Sequence, residues 1–510
     1  MTLSLEKLRR AAKRLKSDYS AGDDAARRRV LAVLPERAVL RHADTLHVVA
    51  REAGYDSWPK LKFAAEAAAM DRAAKQRRLE TALTYGQNWV VEALLDETPD
   101  LSAGDFGLQL ALLDRAAVSA RVSADPALAT RLAGRRRPIL HLAFSRWIHA
   151  RPELESDMLA IAEMLVAAGA DVNDGMPESA DSAHQLSALY GALGHADNVA
   201  LARWLLAHGA DPNDDESLYH ATELGHHHGL RLLIEYGADP KGTNALLRAI
   251  DFDDAEAVGL LLDARADPDE GVASHPSKEP PTVIPAMHQA ARRMAGAEIV
   301  ERLLAAGGNP TIRYDSVTAY ALARVYGNAP VAAALADAGA PTELDASEAM
   351  LAAAADGLAQ PGRWLDPEAL PGLYRSVLRD MVHLPGKLEH MRRLVELGLE
   401  YDRPDEMGVT PVQTAGWEGL PDVMAYFLSL GPDLSHVNDY GGALLGTIIH
   451  GSENCPQREM PGRDHIACAR LALEHGVALP QSEIDYAGDA EMAGFLADWA
   501  ERHPGAVVAS

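Results

Sequence analysis

A nine-residue phrase recurs along this 510-residue chain and constrains its fold more than any other feature. It reads LVAAGADVN at Leu165–Asn173, LLAHGADPN at Leu205–Asn213 and LIEYGADPK at Leu233–Lys241. Worn copies end at Asp269, Thr311, Glu343, Asp402, Ser435 and Pro480. The glycine slot is filled by Gly169, Gly209, Gly237, Arg265, Gly307, Gly339, Gly398, Gly431 and Gly476. The spacing centres near 33 residues, stretched in places by insertions. In each copy an apolar run ends a helix, the glycine supplies the left-handed residue that stops it, and the Asp-containing tail makes a turn. About twenty residues earlier lies a second element, clearest at Pro285–Ala291, Thr318–Asn328 and Thr410–Leu420. Thr before Pro suits the cap and first turn of a helix. A helix–turn–helix–loop unit of this size cannot bury its apolar face alone, whereas stacked copies can. The pattern predicts an all-α solenoid of paired helices.

Composition narrows the function classes. No uncharged apolar run is long enough to span a bilayer. The opening MTLSLEKLRRAAKRLK mixes charge into an apolar stripe and reads as an amphipathic helix rather than a secretion signal. Two cysteines, Cys455 and Cys468, make no disulfide framework and suit a reducing, cytoplasmic setting. The net charge of −26 argues against nucleic acid as a partner. That charge is uneven: residues 1–80 hold 18 basic and 11 acidic side chains, a net of +7, and the rest carries −33.

The Thr-Pro-Leu-His-x-Ala-Ala, Gly-His and Leu-Leu-x-x-Gly-Ala-Asp-x-Asn elements together resemble ankyrin repeats, of a diverged, bacterial-type, multi-repeat kind. The resemblance spans roughly residues 76–500 and is most specific from Ile139 to Glu343 and over Thr410–Ser435. It implies stacked helix pairs and a protein partner. The expected organisation is a helical head at 1–75, a first repeat block at 76–343, irregular helical repeats at 344–403, and C-terminal repeats with an insertion and polar capping helices at 404–510. The Pro-rich stretch Gly271–Pro285 reads as an exposed excursion.

No phosphate-binding loop, nucleophile elbow, HExxH helix or CxxC pair is present, so no cofactor is expected. Twenty histidines are the unusual resource. His220 and His226–His228 could gather round a metal; the plainer reading is helix capping in the Gly-His slot. His450, Cys455, His465 and Cys468 have the right donor chemistry for zinc but match no standard zinc spacing. Cys468 lies on an apolar helix face, and Cys455, before Pro456 in a polar insertion, is expected to be exposed. His141 and His288 occupy the slot where the family's imidazole makes structural hydrogen bonds.

The stronger candidate is a surface. In the family, first helices and loop tips line a concave groove. The register then places Arg146, His220, Glu223, Arg248, Asp251, Phe252, Gln289, Arg292, Arg293, Tyr326, Trp417 and Glu418 along it. Arginines among aromatics are the types enriched at binding hot spots. The reading is a protein-interaction scaffold with no turnover. The alternative is an enzyme or metal-dependent protein with a His-lined pocket. A further, weaker alternative is a secreted bacterial effector or its neutralising partner.

Overall fold

The computed structural model describes residues 5–36, 40, 42–179, 182–271, 284–455, 457–458, 460–487 and 489–508. Most of the Pro-rich excursion, residues 272–283, therefore lies outside the described residues, as do Pro456 and Glu459 of the C-terminal insertion. The chain is 58% helical and 3% strand. The strands form three short two-stranded pairs: Gly175–Pro177 with Gln185–Ser187, Arg313–Tyr314 with Val317–Thr318, and Leu479–Pro480 with Val507–Val508. None of the described helices is long and apolar enough to cross a membrane.

The chain divides into two compact units. One comprises residues 69–324 and 328–343; the other comprises 1–68, 325–327 and 344–510.

In the middle unit, paired helices stack in two rows. The first-helix row includes Phe106–Ala111, Pro138–Ala143, Ser217–Ala221, Ala245–Asp251 and Ala286–Arg292. The second-helix row includes Glu155–Ala167, Val199–Ala207, His228–Glu235, Ala255–Asp263, Ala297–Ala305 and Ala329–Asp337. Leu140, Leu165, Leu205, Leu233, Leu246, Ile250, Leu261 and Leu303 are fully buried in the core of this unit. In the first row, Gly191 lets the Phe144 ring approach so closely that a Cβ there would lie 2.5 Å from it. The helix then opens into a π-helical turn over Gly191–His195, with the Ala196 amide donating to the Gly191 carbonyl at 3.0 Å.

Hydrogen bonds explain the recurring phrase. Every residue in its glycine slot has a positive φ, including Arg265 at 72°. The phrase aspartate accepts from the amide two residues on: Asp171 from Asn173, Asp211 from Asn213, Asp239 from Lys241 and Asp267 from Asp269. The last residue of the phrase reaches forward to the next loop. Asn173 Oδ1 accepts from the Asp211 amide at 2.8 Å, Asn213 Oδ1 from Asp239 at 2.7 Å, and Asp269 Oδ1 from Asn309 at 2.8 Å. Lysine has no acceptor, so Lys241 cannot make the link to Asp267.

The other unit joins both ends of the described chain. Helices Leu5–Ser20, Asp24–Leu31, His42–Glu52 and Trp58–Ala67 enclose two small cores, one around Ala12, Val49, Trp58 and Leu61, the other around Leu15, Val30 and Val48. Helix Ala490–Arg502 packs against His42–Glu52. Lys16 meets Asp498 at 3.0 Å and Lys13 pairs with Glu501. This last helix is not the polar cap expected: Met492, Phe495, Leu496 and Trp499 are all buried. Thr410 makes a capping box with Gln413, and Pro411 opens the helix Pro411–Trp417, as Thr-Pro should.

Candidate functional site

The most organised polar chemistry lies on the first-helix row of the middle unit. Glu216, just ahead of Ser217–Ala221, is 2% exposed. A carboxylate that deep must be paired. Its partners are His184 and, one turn along, His220, whose Nε2 lies 2.9 Å from Oε2. The other His220 nitrogen, Nδ1, lies 2.7 Å from Glu223 Oε2. Glu223 Oε1 accepts from Arg248 Nε at 2.8 Å and pairs with a terminal guanidinium nitrogen at 2.7 Å. Arg248 reaches Asp251 at 3.4 Å, and Asp251 meets Arg293 at 3.1 Å and the Gln289 amide. The charges therefore alternate, acid and base, across three successive first helices.

Each group's titration follows from that alternation. Burial works against the charged form of His220, but hydrogen bonds and charge from Glu216 and Glu223 prevail and raise it to about 9. Burial would likewise raise Glu216 and Glu223, yet His220, with His184 for Glu216 and Arg248 for Glu223, holds both below the usual carboxylate range. His220 is a fixed cation near neutral pH rather than a general base.

A line of rings continues the same row. Ring centroids are 6.3 Å apart for Tyr85 and His195, 5.2 Å for His195 and Phe144, 5.9 Å for Phe144 and Tyr190, and 5.0 Å for Tyr190 and His220. Arg248 then lies over Tyr219 at 5.6 Å and over Phe252 at 4.8 Å, within cation–π range. Tyr85 is 64% exposed and Phe252 51%, so both ends of the line face solvent. The π-helical turn aims His195 at the Thr84 carbonyl, 2.8 Å away, and Arg146 Nε donates to the His195 carbonyl at 2.9 Å.

The structure thus brings together Arg146, His220, Glu223, Arg248, Asp251, Phe252, Gln289, Arg292 and Arg293, with Arg292 Nε donating to Gln289 at 2.9 Å. It corrects three of the groove positions. Gln289 is buried, turned in toward Asp251. Tyr326 belongs with Asp380 to the unit that holds 1–68 and 344–510; it is 1% exposed and its hydroxyl donates to Asp380 at 3.1 Å. Glu418 is buried between Arg463 at 2.7 Å and His383 at 3.1 Å. Trp417 is half-buried, its ring 5.2 Å from His450. Sequence reasoning missed Glu216, His184, Tyr85, Phe144 and His195. Glu216 was findable, because it sits four residues before His220 and so shares its helix face.

Most of the other candidate histidines bond protein groups, and His228 stands with its ring 4.9 Å from that of His226. His226 meets Asp197 at 3.0 Å and His227 meets Asp254 at 2.8 Å. His141 and His288 reach the carbonyls of Ala133 and Val317 at 2.7 and 3.0 Å. His465 reaches the Trp417 carbonyl at 2.8 Å, and His450 pairs with Asn454. Among the described residues no group of three or more His, Cys, Asp or Glu side chains is placed to hold a metal. Both cysteines are free and buried. Cys455 corrects the expectation of exposure: its amide still bonds the Gly451 carbonyl, so it closes the helix Leu444–Asn454 and its thiol turns inward. Burial raises both thiols, Cys468 to about 12.

Residues 189–271 match a family model described as ankyrin repeats, in three copies. The chain contains ankyrin repeats. Protein phosphatase 1 regulatory subunit 27 of human and that of mouse are each 36% identical over 77 residues, 15% of this chain. The match covers 46% of those relatives, about half their length. These relatives are mammalian and lend no support to a bacterial-type assignment. A solved ankyrin repeat domain, that of Bcl-3, aligns over 46% of this chain and 94% of its own, at 16% identity and a TM-score of 0.22.

Proposed function

We propose that the ankyrin repeats of the middle unit bind a protein partner across the first-helix ladder, with Phe252 and Tyr85 as apolar anchors and Arg248, Arg292 and Arg293 as polar ones. The observation that carries this reading is the unbroken alternation from Glu216 to Arg293. It holds half-buried cations in fixed positions beside exposed rings, so a partner would meet a preorganised surface. The relatives named as regulatory subunits of a protein phosphatase point the same way, toward a chain that acts by binding another protein. The scaffold reading gains over a His-lined catalytic pocket because His220 is held as a cation between two carboxylates.

The test is capture of partners by the intact chain, read by mass spectrometry, against the Phe252→Ala and Tyr85→Ala variants. Both rings are largely exposed, so melting should not change. A captured protein that is lost with both variants supports the ladder. Capture indifferent to both would move the interface elsewhere.

A further inference from the structure

Two arginines at the Tyr85 end of the first-helix row lack what others in the ladder have. Arg248 is answered by Glu223 and Asp251, and Arg293 by Asp251. Arg136 and Arg146 are half-buried, and among the described residues neither forms an ion pair. Their side chains reach neutral oxygens instead. Arg136 Nη1 donates to the Thr84 hydroxyl at 3.3 Å, and its guanidinium lies 5.1 Å from the centre of the Phe144 ring. Arg146 donates to the His195 carbonyl, through Nε at 2.9 Å and also through Nη2. Three donors are left over: Nε and Nη2 of Arg136, and Nη1 of Arg146. None of them has a protein acceptor among the described residues, and none is sealed from solvent.

Both cations act on one place. His195 reaches the Thr84 carbonyl at 2.8 Å, and its imidazole is pushed below the ordinary histidine value, first by burial and then by Arg146, Arg136 and His220. The acid in reach is Glu80, which acts on Arg136 through space without bonding it. Tyr85, 64% exposed, stands beside the same imidazole, 6.3 Å between ring centroids. The Arg146 stem is held by contact: a Cβ on Gly86 would lie 3.2 Å from its Cδ. Two positioned cations with open donors and an exposed ring beside them present charge that the chain leaves uncompensated, although its net charge is −26.

We propose that the partner segment crossing this end of the row is acidic, an extended peptide whose carboxylates take the open donors of Arg136 and Arg146 beside Tyr85. This rests on the interface proposed above and names the chemistry of its occupant. A charged donor bonds a carboxylate more strongly than it bonds a hydroxyl or carbonyl. An acidic segment is repelled by most of a chain of the same sign, so the pair that binds it also sets where it docks. A nucleic-acid strand offers similar acceptors, but it brings long unbroken negative charge to a chain of like sign, which favours the peptide.

The probe is fluorescein-labelled hexaglutamate, titrated into the full chain at low salt and read by anisotropy. Hexaglutamine is the neutral control and hexathymidylate the nucleic-acid control. Hexaglutamate should bind saturably, more tightly than either control, and should weaken as salt rises. Arg136→Gln and Arg146→Gln should each weaken it about fivefold, and Arg136→Lys, which keeps the charge, should weaken it less. Arg302→Gln, in a pair with Glu298 on a second helix, should bind like the parent. Arg146→Gln removes a bond to His195, so Arg136→Gln against Arg136→Lys decides if that variant melts early. No saturable binding, equal binding of hexaglutamine, tighter binding of hexathymidylate, or indifference to both Arg136 variants would each overturn the proposal. Partner capture that depends on Tyr85, with no hexaglutamate binding, would leave the interface standing and remove only its acidic occupant.

Discussion

Two neighbouring junctions in the middle unit are built differently. Between the phrases ending at Asn213 and Lys241, the loop tips are tied: Asn213 accepts from the Asp239 amide, and the glycine slot holds Gly237. Between the phrases ending at Lys241 and Asp269, the tie is missing and Arg265 sits left-handed at φ 72°. Yet this second junction carries a strong link of the ladder, Glu223 with Arg248, while the next link, Asp251 with Arg293, spans the following junction, where Asp269 again ties to Asn309. What the loop tips lose, the helix row supplies with long charged side chains. At this junction the phrase departs from its pattern where a charged link spans the helix row, and at the following one the tie and the link coexist.

The comparison can be tested from its strongest member down. His220→Leu removes one of the two partners of buried Glu216, and unfolding in urea should show a loss of about 3 kcal/mol; a loss under about 1 kcal/mol would mean the ladder does not offset the loop tips. The same histidine sets a pH dependence. Its folded pKa, about 9, lies above its unfolded value, so its contribution is complete below about pH 6.5 and disappears as pH rises through 9. The parent's urea midpoint should fall across that window, while His220→Leu stays flat; parallel curves would assign the pH dependence elsewhere. Arg265→Gly relieves a left-handed non-glycine residue and should raise stability by about 1 kcal/mol, whereas Gly237→Arg should lower it by a similar amount. The smallest effect is expected for Lys241→Asn. It restores an acceptor facing Asp267 and should add about 0.5 kcal/mol, with Asn213→Ala losing at least as much at the tied junction.

Much of the fold was legible because the constraints were local. A helix that stops on a left-handed residue prefers glycine there, and the turn after it needs an Asp acceptor, so Gly169, Gly209 and Gly237 announced the repeats. The ladder was legible in part for the same reason: register alone placed Arg248, Asp251 and Phe252 on first helices. Depth was not legible. Tyr326, Gln289 and Glu418 have the right register but are covered by Asp380, Asp251 and Arg463, neighbours that no local pattern reveals. Cys455 looked exposed from its polar surroundings, but the helix before it runs on to Asn454 and the Cys455 amide still bonds the Gly451 carbonyl.

Helix His42–Glu52 and its contact helix Ala490–Arg502 lie at opposite ends of the described chain. During synthesis at roughly 5–20 residues per second, the head emerges first and waits roughly twenty to ninety seconds for the helix that completes its unit. The repeats between them need no such delay, since each finds its neighbour within a few dozen residues. A nascent chain therefore passes through a long interval with a finished middle and an incomplete beginning. In that interval the face bearing Lys13 and Lys16 lacks its acidic counterparts Glu501 and Asp498.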